Sequence, residues 1–426
     1  MKIYLDTVGC RLNQSEIEGM AHQFRAAGHE IVSGAGEADL VVINTCTVTS
    51  QAASDSRQKV RQSVRLGAGE IVLTGCWSTL EPEQAKALPN VRKVVPNNRK
   101  GELVRDVLGL PDPEFELEPL ARQPLPGLRM RTRAFIKVQD GCDNRCTFCI
   151  TTVARGDGIS HSIPQVLSDI RAALQGGTQE VVLTGVHLGS WGKDFGGRNN
   201  HLCDLIQAIL SETEAPRLRL SSLEPWDLDE NFFELWQDQR LCRHLHLPLQ
   251  SGSAGVLRRM ARKVTPQSYA ALLMAARAAI PDVAITTDLI AGFPGESDDE
   301  FAETLEFVVN MDFSGGHVFT YSARAGTVAA GMIGQVPHGI RKSRNAALRA
   351  LVSRSRQAYA ERFLGKNLKV LWETSRQQSD GGWLLEGLTD NYLHVRAMSS
   401  QPRWNHIDNV NMCSWDPAGL MGEINI

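Results

Sequence analysis

Short apolar runs alternate with amphipathic stretches over the first 110 residues of the chain. The apolar runs have the length of buried strands, and the stretches between them repeat apolar residues at the spacing of a helix. Strands that alternate with helices favour a parallel sheet with helical crossovers. We predict strands at 3–8, 40–44 and 70–74 and helices at 15–27 and 52–66. Residues 1–110 should therefore form a Rossmann-like α/β domain.

The same alternation returns after residue 133. It predicts strands at 134–139, 181–184, 218–222, 244–248, 284–290 and 316–320, with helices such as 163–174 and 266–279 between them. Parallel strands with crossover helices form either a doubly wound sheet or a barrel, and the pattern alone does not choose between them. We assign this second domain to residues 133–362.

Two further segments complete the predicted organisation. Residues 111–132 contain several prolines and have no clear periodicity, which indicates a linker. Residues 363–426 consist of short alternating segments separated by Ser-Asp-Gly and Thr-Asp-Asn turns. Such segments predict a small antiparallel β-barrel as the third domain.

Three cysteines with the spacing C-x3-C-x2-C directly follow the strand predicted at 134–139: Cys142, Cys146 and Cys149. Thiolates so close in sequence can converge on one inorganic centre. Closed structural zinc sites and fully protein-ligated iron-sulfur cubes use four protein ligands, whereas this loop offers three. The loop therefore predicts a metal centre with one open position.

Three more cysteines stand at the ends of the three strongest strands of the first domain: Cys10, Cys46 and Cys76. The carboxyl ends of parallel strands share one edge of a sheet, so these thiols can meet although they are far apart in sequence. A lone cysteine is more often a buried free thiol, and each of the three taken singly permits that interpretation. Their repeated position favours a second three-thiolate site. We interpret Cys203, Cys242 and Cys413 as ordinary thiols.

Composition and charge indicate the cellular compartment and the kinds of partner that the protein can bind. The formal net charge of −3 and a pI near 6.4 give no global basic field, so any contact with nucleic acid must be local. No apolar run approaches the ~20 residues that cross a bilayer, so we expect a cytoplasmic protein without membrane contact. In a reducing compartment, nine cysteines are metal ligands, catalytic groups or buried thiols rather than disulfides.

The loop at Cys142–Cys149 resembles the signature of the radical S-adenosylmethionine (SAM) enzymes. The runs Val8–Glu16 and Asn44–Thr49, and the order of the domains, resemble the methylthiotransferases within that group. The resemblance covers nearly the whole chain. It implies a partial (β/α)6 barrel for the second domain and a TRAM domain, which binds RNA, for the third.

The resemblance also implies cofactors and a reaction. One 4Fe–4S cluster on Cys142, Cys146 and Cys149 would bind SAM and generate a radical, which makes these three cysteines catalytic. A second, auxiliary 4Fe–4S cluster would be held by the three strand-end cysteines and would carry the sulfur to be methylated and transferred. The net reaction replaces an unactivated C–H bond by C–S–CH3. A low-potential electron donor and a sulfur donor are implied partners.

The run Gly9–Glu16 and the run Gly185–Gly189 look most like the branch that methylthiolates threonylcarbamoyladenosine beside the tRNA anticodon. A tRNA anticodon stem-loop is therefore the implied substrate. Isopentenyladenosine in tRNA is the first alternative, and an aspartate of a ribosomal protein is the second.

Polar residues and glycines at the ends of the later strands are candidates to bind SAM, which needs partners for its amino, carboxylate and ribose groups. The candidates are Gly185, Glu224, Gln250, Ser251 and Asp288. Each could instead form a helix cap or a turn. Glu224 and Gln250 are favoured, because such residues pack poorly in a barrel interior without partners.

RNA contacts are expected from a basic strip before the cysteine loop and from aromatic residues of the third domain. The candidates are Arg131, Arg133, Trp383 and Tyr392. The third domain has more acidic than basic residues, so aromatic stacking or shape would have to carry binding there. A solvated basic face is the alternative for the two arginines.

Two segments depart from the family pattern. The first is Thr151–Asp157, which follows Cys149 and Ile150. The family usually has proline after this isoleucine and basic residues after Arg-Gly, whereas this chain has Thr151 and Asp157 at those places. The loop Arg324–Ala329 lacks the prolines that usually flank its Gly-Thr.

A non-catalytic RNA-binding protein with structural zinc, using His161 or His187 as a fourth ligand, is disfavoured because zinc ligands normally lie at short local spacings.

Overall fold

The structure is a computed structural model that describes residues 1–110, 132–196 and 201–425. The chain divides into two compact units. The first comprises residues 1–144, 149–177 and 184–186, and the second comprises 145–148, 178–183 and 187–426. The linker predicted at 111–132 lies outside the described residues except for its last residue. The predicted boundaries of the three domains stay predictions.

The first unit is built on a five-stranded parallel sheet with the strand order β2-β1-β3-β4-β5. Its elements are β1 (Lys2–Thr7), α1 (Arg11–Ala26), β2 (Glu30–Ile31), β3 (Leu40–Thr45), α2 (Ser50–Arg65), β4 (Ile71–Gly75), α3 (Cys76–Leu80), α4 (Pro82–Lys86), β5 (Val91–Val94), α5 (Leu103–Leu108), β6 (Arg133–Lys137), β7 (Gln139–Asp140), α6 (Thr151–Arg155), β8 (Ile159–Ser160) and α7 (Ile163–Gln175).

The central strands of this sheet, β3 and β4, are buried along their whole length. Apolar side chains of α1, including Phe24, pack against Ile3 on one face, and Val60 of α2 packs against Ile43 on the other. Burial on both faces explains why these strands read as continuous apolar runs rather than as alternating ones. Thr49 caps α2 by accepting a hydrogen bond from the backbone N–H of Ala52 at 3.1 Å.

The second unit contains parallel strands with crossover helices, followed by a small barrel. Its elements are β9 (Glu180–Thr184, the last residue of which belongs to the first unit), α8 (Leu202–Glu212), β10 (Leu218–Leu220), β11 (His244–His246), α9 (Ala254–Arg259), α10 (Pro266–Ala279), β12 (Ala284–Ala291), α11 (Asp298–Met311), β13 (Gly315–Thr320), α12 (His338–Glu361), β14 (Asn367–Gln377), β15 (Trp383–Thr389), β16 (His394–Ser399), β17 (Ile407–Asp416) and β18 (Gly419–Ile424).

The parallel strands pair in chain order. Strand β9 pairs with β10, isolated bridges join β10 to β11, and β11, β12 and β13 form a further sheet. In the first unit, Val138 just after β6 donates to the carbonyl of Thr184 at 2.9 Å. This order is that of an open (β/α) barrel rather than of a doubly wound sheet, and the predicted fold class is confirmed.

Strands β14 to β18 form a closed barrel in the order β14-β15-β16-β18-β17. All pairs are antiparallel except β16 with β18, which is parallel. The closed five-stranded barrel is consistent with the expected TRAM domain. Its last two strands were not predicted from the sequence.

Buried arginines hold this barrel against the parallel strands of the second unit. Arg219 in β10 forms a two-fold ion pair with Glu180, at 2.6 and 2.9 Å, and donates to the carbonyls of Thr389 and Asp390 at 3.1 and 2.9 Å. Its side chain and that of Glu180 are both 0% exposed. Among the described residues, no helix is long and apolar enough to span a membrane.

Candidate functional site

Three cysteines of the first unit follow adjacent parallel strands. Thr7 of β1 pairs with Asn44 of β3, and Thr45 of β3 pairs with Gly75 of β4. Cys10, Cys46 and Cys76 come one to three residues after these strand ends. Burial, together with the neighbouring thiols of Cys10 and Cys76, raises the pKa of Cys46 to about 11. The strand ends therefore bring the three predicted ligands into one neighbourhood.

Glycines with positive φ allow the chain to turn directly before three of the six candidate ligands. Gly9 has φ +112°, and a Cβ on it would lie 2.5 Å from the Cβ of Cys46. Gly75, with φ +102°, leaves no room for a Cβ beside the backbone of Thr45. Gly141 has φ +68°, and a Cβ on it would lie 1.8 Å from the carbonyl oxygen of Asp157. Each Gly-Cys pair therefore needs its glycine both for the backbone angle and for space.

The chemistry of the thiols fits an iron-sulfur cluster. Among the described residues, no three or more His, Cys, Asp or Glu side chains are placed to hold one metal ion. In a cube each thiolate binds a different iron, so the sulfurs do not have to converge on one point. A set of soft sulfur ligands without carboxylates is typical of iron-sulfur and zinc centres. Two of the sulfurs have hydrogen-bond partners: Asn97 Nδ2 donates to Cys76 Sγ at 3.6 Å, and the thiol of Cys10 donates to Asn13 Oδ1 at 3.7 Å.

A largely buried ion-pair network lies beside these thiols, and we call it the Arg155 network. It consists of Glu16, Lys100, Lys137, Asp140 and Arg155, all in the first unit. Arg155 Nη1 donates to Glu16 Oε1 at 2.9 Å and to Asp140 Oδ1 at 2.8 Å. Lys100 Nζ donates to Glu16 Oε2 at 2.8 Å. Although burial alone would raise the pKa of Glu16, Lys100 and Arg155 hold that pKa well below its usual range.

Sequence reasoning missed most of this network. Glu16 lies within the family-like run Gly9–Glu16, and Arg155 lies in the Arg-Gly that follows the cysteine loop, so both carried a signal. Neither residue was assigned a role. Lys100 and Asn97 lie in a short 3-10 helix and carried no signal at all.

The loop after β7 positions Cys142 and Cys149 within the first unit. The backbone N–H of Cys142 donates to the carbonyl of Gly156 at 3.0 Å. The N–H of Asn144 lies 3.4 Å from Cys142 Sγ, and Thr152 Oγ1 lies 3.8 Å from Cys149 Sγ. Donors that point at sulfur stabilise the thiolate form that iron binds.

Cys146 belongs to the second unit and is approached by a buried arginine. Arg262 Nη1 lies 3.8 Å from Cys146 Sγ and 3.1 Å from Glu224 Oε1, and Nη2 lies 2.6 Å from Glu224 Oε2. The guanidinium also stacks 4.5 Å from the ring centre of Trp226. Glu224, a predicted SAM ligand, thus orients the arginine beside a predicted cluster ligand. A carboxylate has about four acceptor sites, so the ion pair with Arg262 leaves some of them for SAM. The contact of Glu224 with SAM stays a prediction.

Two predicted SAM ligands have the features of a binding site. Gln250 has φ +75°, which is uncommon for a residue with a side chain, and its N–H and carbonyl pair with Asp288 and Ile290 of β12. Asp288 Oδ2 lies 3.3 Å from His246 Nε2, whereas its buried Oδ1 has no hydrogen-bond partner within the described part of the chain. Strained backbone and unpaired buried oxygens cluster at ligand sites.

The other two predicted SAM ligands have structural contacts. Ser251 is fully buried, and its hydroxyl lies 3.1 Å from that of Thr304. A Cβ on Gly185 would lie 3.0 Å from Oε1 of Gln139, whose Nε2 donates to the carbonyl of Gly141 at 2.8 Å. Gly185 therefore gives Gln139 the space to brace the cysteine loop.

Three of the four residues predicted to contact RNA lie in the described part of the chain. Arg131 lies outside the described residues. Arg133 is half-buried with its guanidinium 5.8 Å from the ring centre of Phe135. Trp383 is half-buried against the core of the barrel. Tyr392 is also half-buried, because its ring stacks on His244 at 4.3 Å and lies under Arg219 at 5.1 Å. Their contact with RNA stays a prediction.

The two histidines considered as zinc ligands have other surroundings. His187 Nε2 pairs with Asp227, whose second oxygen accepts from Lys193 at 2.8 Å. The pKa of His161 is lowered to about 4, chiefly by burial and also by Lys137.

Two parts of the chain match protein-family models, and nearly the whole chain is similar to known proteins. Residues 2–96 match uncharacterized protein family UPF0004, and residues 136–308 match the radical SAM superfamily. The chain is 35% identical over 409 residues to threonylcarbamoyladenosine tRNA methylthiotransferase MtaB of Bacillus subtilis (strain 168), which covers 91% of this chain and 88% of the relative. It is 34% identical to the tRNA-2-methylthio-N(6)-dimethylallyladenosine synthase of Novosphingobium aromaticivorans over 387 residues, 88% of this chain and 87% of the relative.

Among solved structures, the chain is similar to the radical SAM methyltransferase TsrM of Kitasatospora setae with cobalamin and a 4Fe–4S cluster bound. The TM-score is 0.58, and the match covers 77% of both chains at 14% sequence identity. At that identity the likeness supports the fold alone.

Proposed function

Because the chain belongs to the radical SAM methylthiotransferases, we propose that it converts threonylcarbamoyladenosine next to the tRNA anticodon to its 2-methylthio derivative. The structural observation that carries this proposal is the placement of Cys10, Cys46 and Cys76 at the ends of adjacent parallel strands. That placement supports an auxiliary cluster in addition to the one on Cys142 and its two neighbours. The relative in Bacillus subtilis is named for the same substrate.

Enzymes of this family use SAM and two 4Fe–4S clusters. When bound, these groups supply a 5'-deoxyadenosyl radical and a methylated sulfur for transfer. The chain's own residues hold and orient them. Cys142, Cys146 and Cys149 would bind one cluster, while Cys10, Cys46 and Cys76 would bind the other.

The second unit would orient SAM. Arg262 is fixed by Glu224 on one side and by the carbonyl of Pro248 on the other, so its guanidinium cannot swing away from Cys146. The unpaired oxygen of Asp288 and the side chain of Gln250 would accept and donate hydrogen bonds to the polar groups of SAM. Since the C–H bond of the substrate has no acidic proton, no general base is required to start the reaction.

The partners and the location follow from this proposal. A tRNA anticodon stem-loop is the substrate, and a low-potential electron donor and a sulfur donor are needed for turnover. A cytoplasmic location fits such a substrate.

The cluster assignment can be tested by anaerobic reconstitution and by counting iron and sulfide. Wild-type protein should carry two clusters, and a Cys142→Ala, Cys146→Ala, Cys149→Ala variant should carry one. The matched variant Cys10→Ala, Cys46→Ala, Cys76→Ala should also carry one. Zinc in place of iron, or no loss of iron in either variant, would contradict the proposal.

The substrate can be tested by mass spectrometry of tRNA nucleosides from a deletion strain. Threonylcarbamoyladenosine without its methylthio group should accumulate, and the cloned gene should restore the modification. Isopentenyladenosine in tRNA is the second candidate substrate, because the relative from Novosphingobium aromaticivorans is named for the dimethylallyl compound at nearly the same identity. Accumulation of unmodified isopentenyladenosine would move the chain to that branch.

A further inference from the structure

We propose that the Arg155 network is the counter-charge of the auxiliary cluster and raises its reduction potential. The proposal rests on the proposed function, because it assumes a 4Fe–4S cluster on Cys10, Cys46 and Cys76. All residues that carry it lie in the first unit.

The network has an excess of positive charge in a largely buried place, where only Lys137 and Asp140 are partly exposed. Three cations, Lys100, Lys137 and Arg155, face two carboxylates, Glu16 and Asp140, so one positive charge is left over when all five are ionised. The side chains of Arg155, Glu16 and Lys100 are 2%, 3% and 5% exposed. A buried excess charge is costly unless an opposite charge lies near it.

As ligands of a cluster, the thiolates of Cys10 and Cys76 would be the opposite charge within reach. Arg155 Nη2 donates to Asn13 Oδ1 at 2.8 Å, and the thiol of Cys10 donates to the same oxygen at 3.7 Å, which places Cys10 next to the residue that Arg155 binds. Burial alone would lower the pKa of Arg155, yet that pKa is raised well above its usual range by Glu16, by Asp140 and by the thiolate form of Cys76. Asn97 Nδ2 connects the other side, because it lies 3.6 Å from Cys76 Sγ and 2.8 Å from the carbonyl of Ala154.

The effect on the cluster follows from its charge. Three thiolates give the cluster net negative charge, and reduction adds one more electron. A positive charge held nearby at low dielectric stabilises the reduced form more than the oxidised one and so raises the potential. Hydrogen bonds to the sulfurs, such as that from Asn97, act in the same direction.

The location of Arg155 also connects the two cysteine sites. Arg155 ends α6, a five-residue helix that starts two residues after Cys149. Thr152, on the same helix, lies 3.8 Å from Cys149 Sγ. One short helix thus carries Thr152, which contacts Cys149 Sγ, and Arg155, which binds Asn13, the hydrogen-bond partner of Cys10.

The experiment uses the full chain with Cys142, Cys146 and Cys149 replaced by Ala, so that only the auxiliary cluster can load. Into this parent we introduce Arg155→Gln, Arg155→Lys, Glu16→Gln or Asp140→Asn. The midpoint potential of the cluster is measured by a redox titration followed by electron paramagnetic resonance, with iron and sulfide counted in each sample. Thermal unfolding of the iron-free proteins reports whether each variant folds.

Opposite shifts are expected. Arg155→Gln should move the midpoint potential to a more negative value, because it removes a cation. Glu16→Gln should move it to a more positive value, because it removes an anion. Asp140→Asn, at a less buried position, repeats the second test if Glu16→Gln fails to fold. Arg155→Lys should stay close to the parent.

A merely structural network would not shift the potential in opposite directions. Unchanged potentials in loaded, folded variants would overturn the proposal. Loss of the cluster in Arg155→Gln but not in Arg155→Lys would support it, whereas loss in both would overturn it, because charge at that position would then not be what matters. A parent without any cluster would refute the proposed function itself, and is thereby distinguished from failure of this inference alone.

Discussion

Gly9 lies directly against Cys46: a Cβ on Gly9 would be 2.5 Å from the Cβ of Cys46 and 2.6 Å from its Sγ. The backbone of Gly9 also has φ +112°. Both facts make glycine necessary at a position that immediately precedes Cys10. The two strand-end thiols are thus positioned by the absence of a side chain between them.

Gly9→Ala should therefore disrupt the auxiliary cluster. The added methyl group pushes Cys46 away, and overpacking of this kind typically costs about 1–3 kcal/mol of stability. We expect iron and sulfide in the reconstituted protein to fall to about half, since one of two clusters is lost.

Gly19→Ala is the matched control. It lies in α1, and a Cβ there would have no atom within 4 Å. Alanine in a helix interior should stabilise the protein by roughly 0.5–1 kcal/mol and leave the iron content unchanged. Full iron in Gly9→Ala, or equal loss in both variants, would contradict the assigned role of Gly9.

The buried pair of Arg219 and Glu180 should be important for stability. Removing one partner of a buried ion pair leaves the other charge uncompensated and typically costs about 3–5 kcal/mol. Arg219→Ala also removes the guanidinium donor from the carbonyls of Thr389 and Asp390, the first of which keeps the N–H of Tyr392. Urea unfolding of the iron-free protein should show this loss.

An exposed ion pair of the barrel provides the comparison. Arg376, with a side chain 58% exposed, pairs with Glu386 at 3.1 Å. Arg376→Ala should cost less than about 1 kcal/mol, because solvent screens such pairs. Equal effects of the two substitutions would show that Arg219 does not hold the barrel in the way described.

The positions of the strand-end cysteines could be predicted from the sequence because a local pattern carries them. Cys10, Cys46 and Cys76 each follow an apolar run, and parallel strands place their carboxyl ends at one edge. The Arg155 network could not be predicted in this way. Its members come from α1, a 3-10 helix, the segment at β6 and β7, and α6. From the sequence alone, charged residues in such elements are expected on the solvent-exposed surface, and only the fold shows that these are buried.

The last two strands of the barrel show a different limit. Strand β17 (Ile407–Asp416) is rich in Asn and Asp, which are depleted in strands, and only Val410 and Met412 are buried. Its pairing with β14 and β18 overrides that weak local preference. Conversely, Tyr392 was singled out for stacking on RNA, whereas its ring already stacks on His244.

Gln250→Gly should separate SAM binding from folding. Glycine adopts the φ of +75° found at this position without strain, so the iron-free variant should be as stable as wild type or more stable by about 1 kcal/mol. Loss of the side-chain hydrogen bonds should lower SAM affinity by roughly ten-fold, which corresponds to about 1.4 kcal/mol. Equilibrium dialysis of labelled SAM against anaerobically reconstituted protein measures the affinity.

Asp282→Gly is the control for that experiment. Asp282 also has positive φ, +56°, and lies on the turn before β12. It should give a similar change in stability without a change in SAM affinity. Unchanged affinity in Gln250→Gly would remove Gln250 from the SAM site.

His161 should make stability depend on pH. Its pKa in the folded protein is lowered to about 4 by burial and by Lys137, with Asp140 opposing, whereas an unfolded histidine has a pKa of about 6.5. Above that value the side chain is neutral in both states and contributes nothing. As the pH falls from about 6.5 towards 4, the unfolded state binds a proton that the folded state does not, so stability decreases. Partial solvent exposure should limit the loss to about 1–2 kcal/mol.

His161→Gln removes this term, so the stability of the variant relative to wild type should be higher at pH 5 than at pH 7 by that amount. Urea unfolding of the iron-free proteins at the two pH values measures it, and other titrating groups cancel in the difference. The same difference between variant and wild type at both pH values would mean that His161 does not titrate between them.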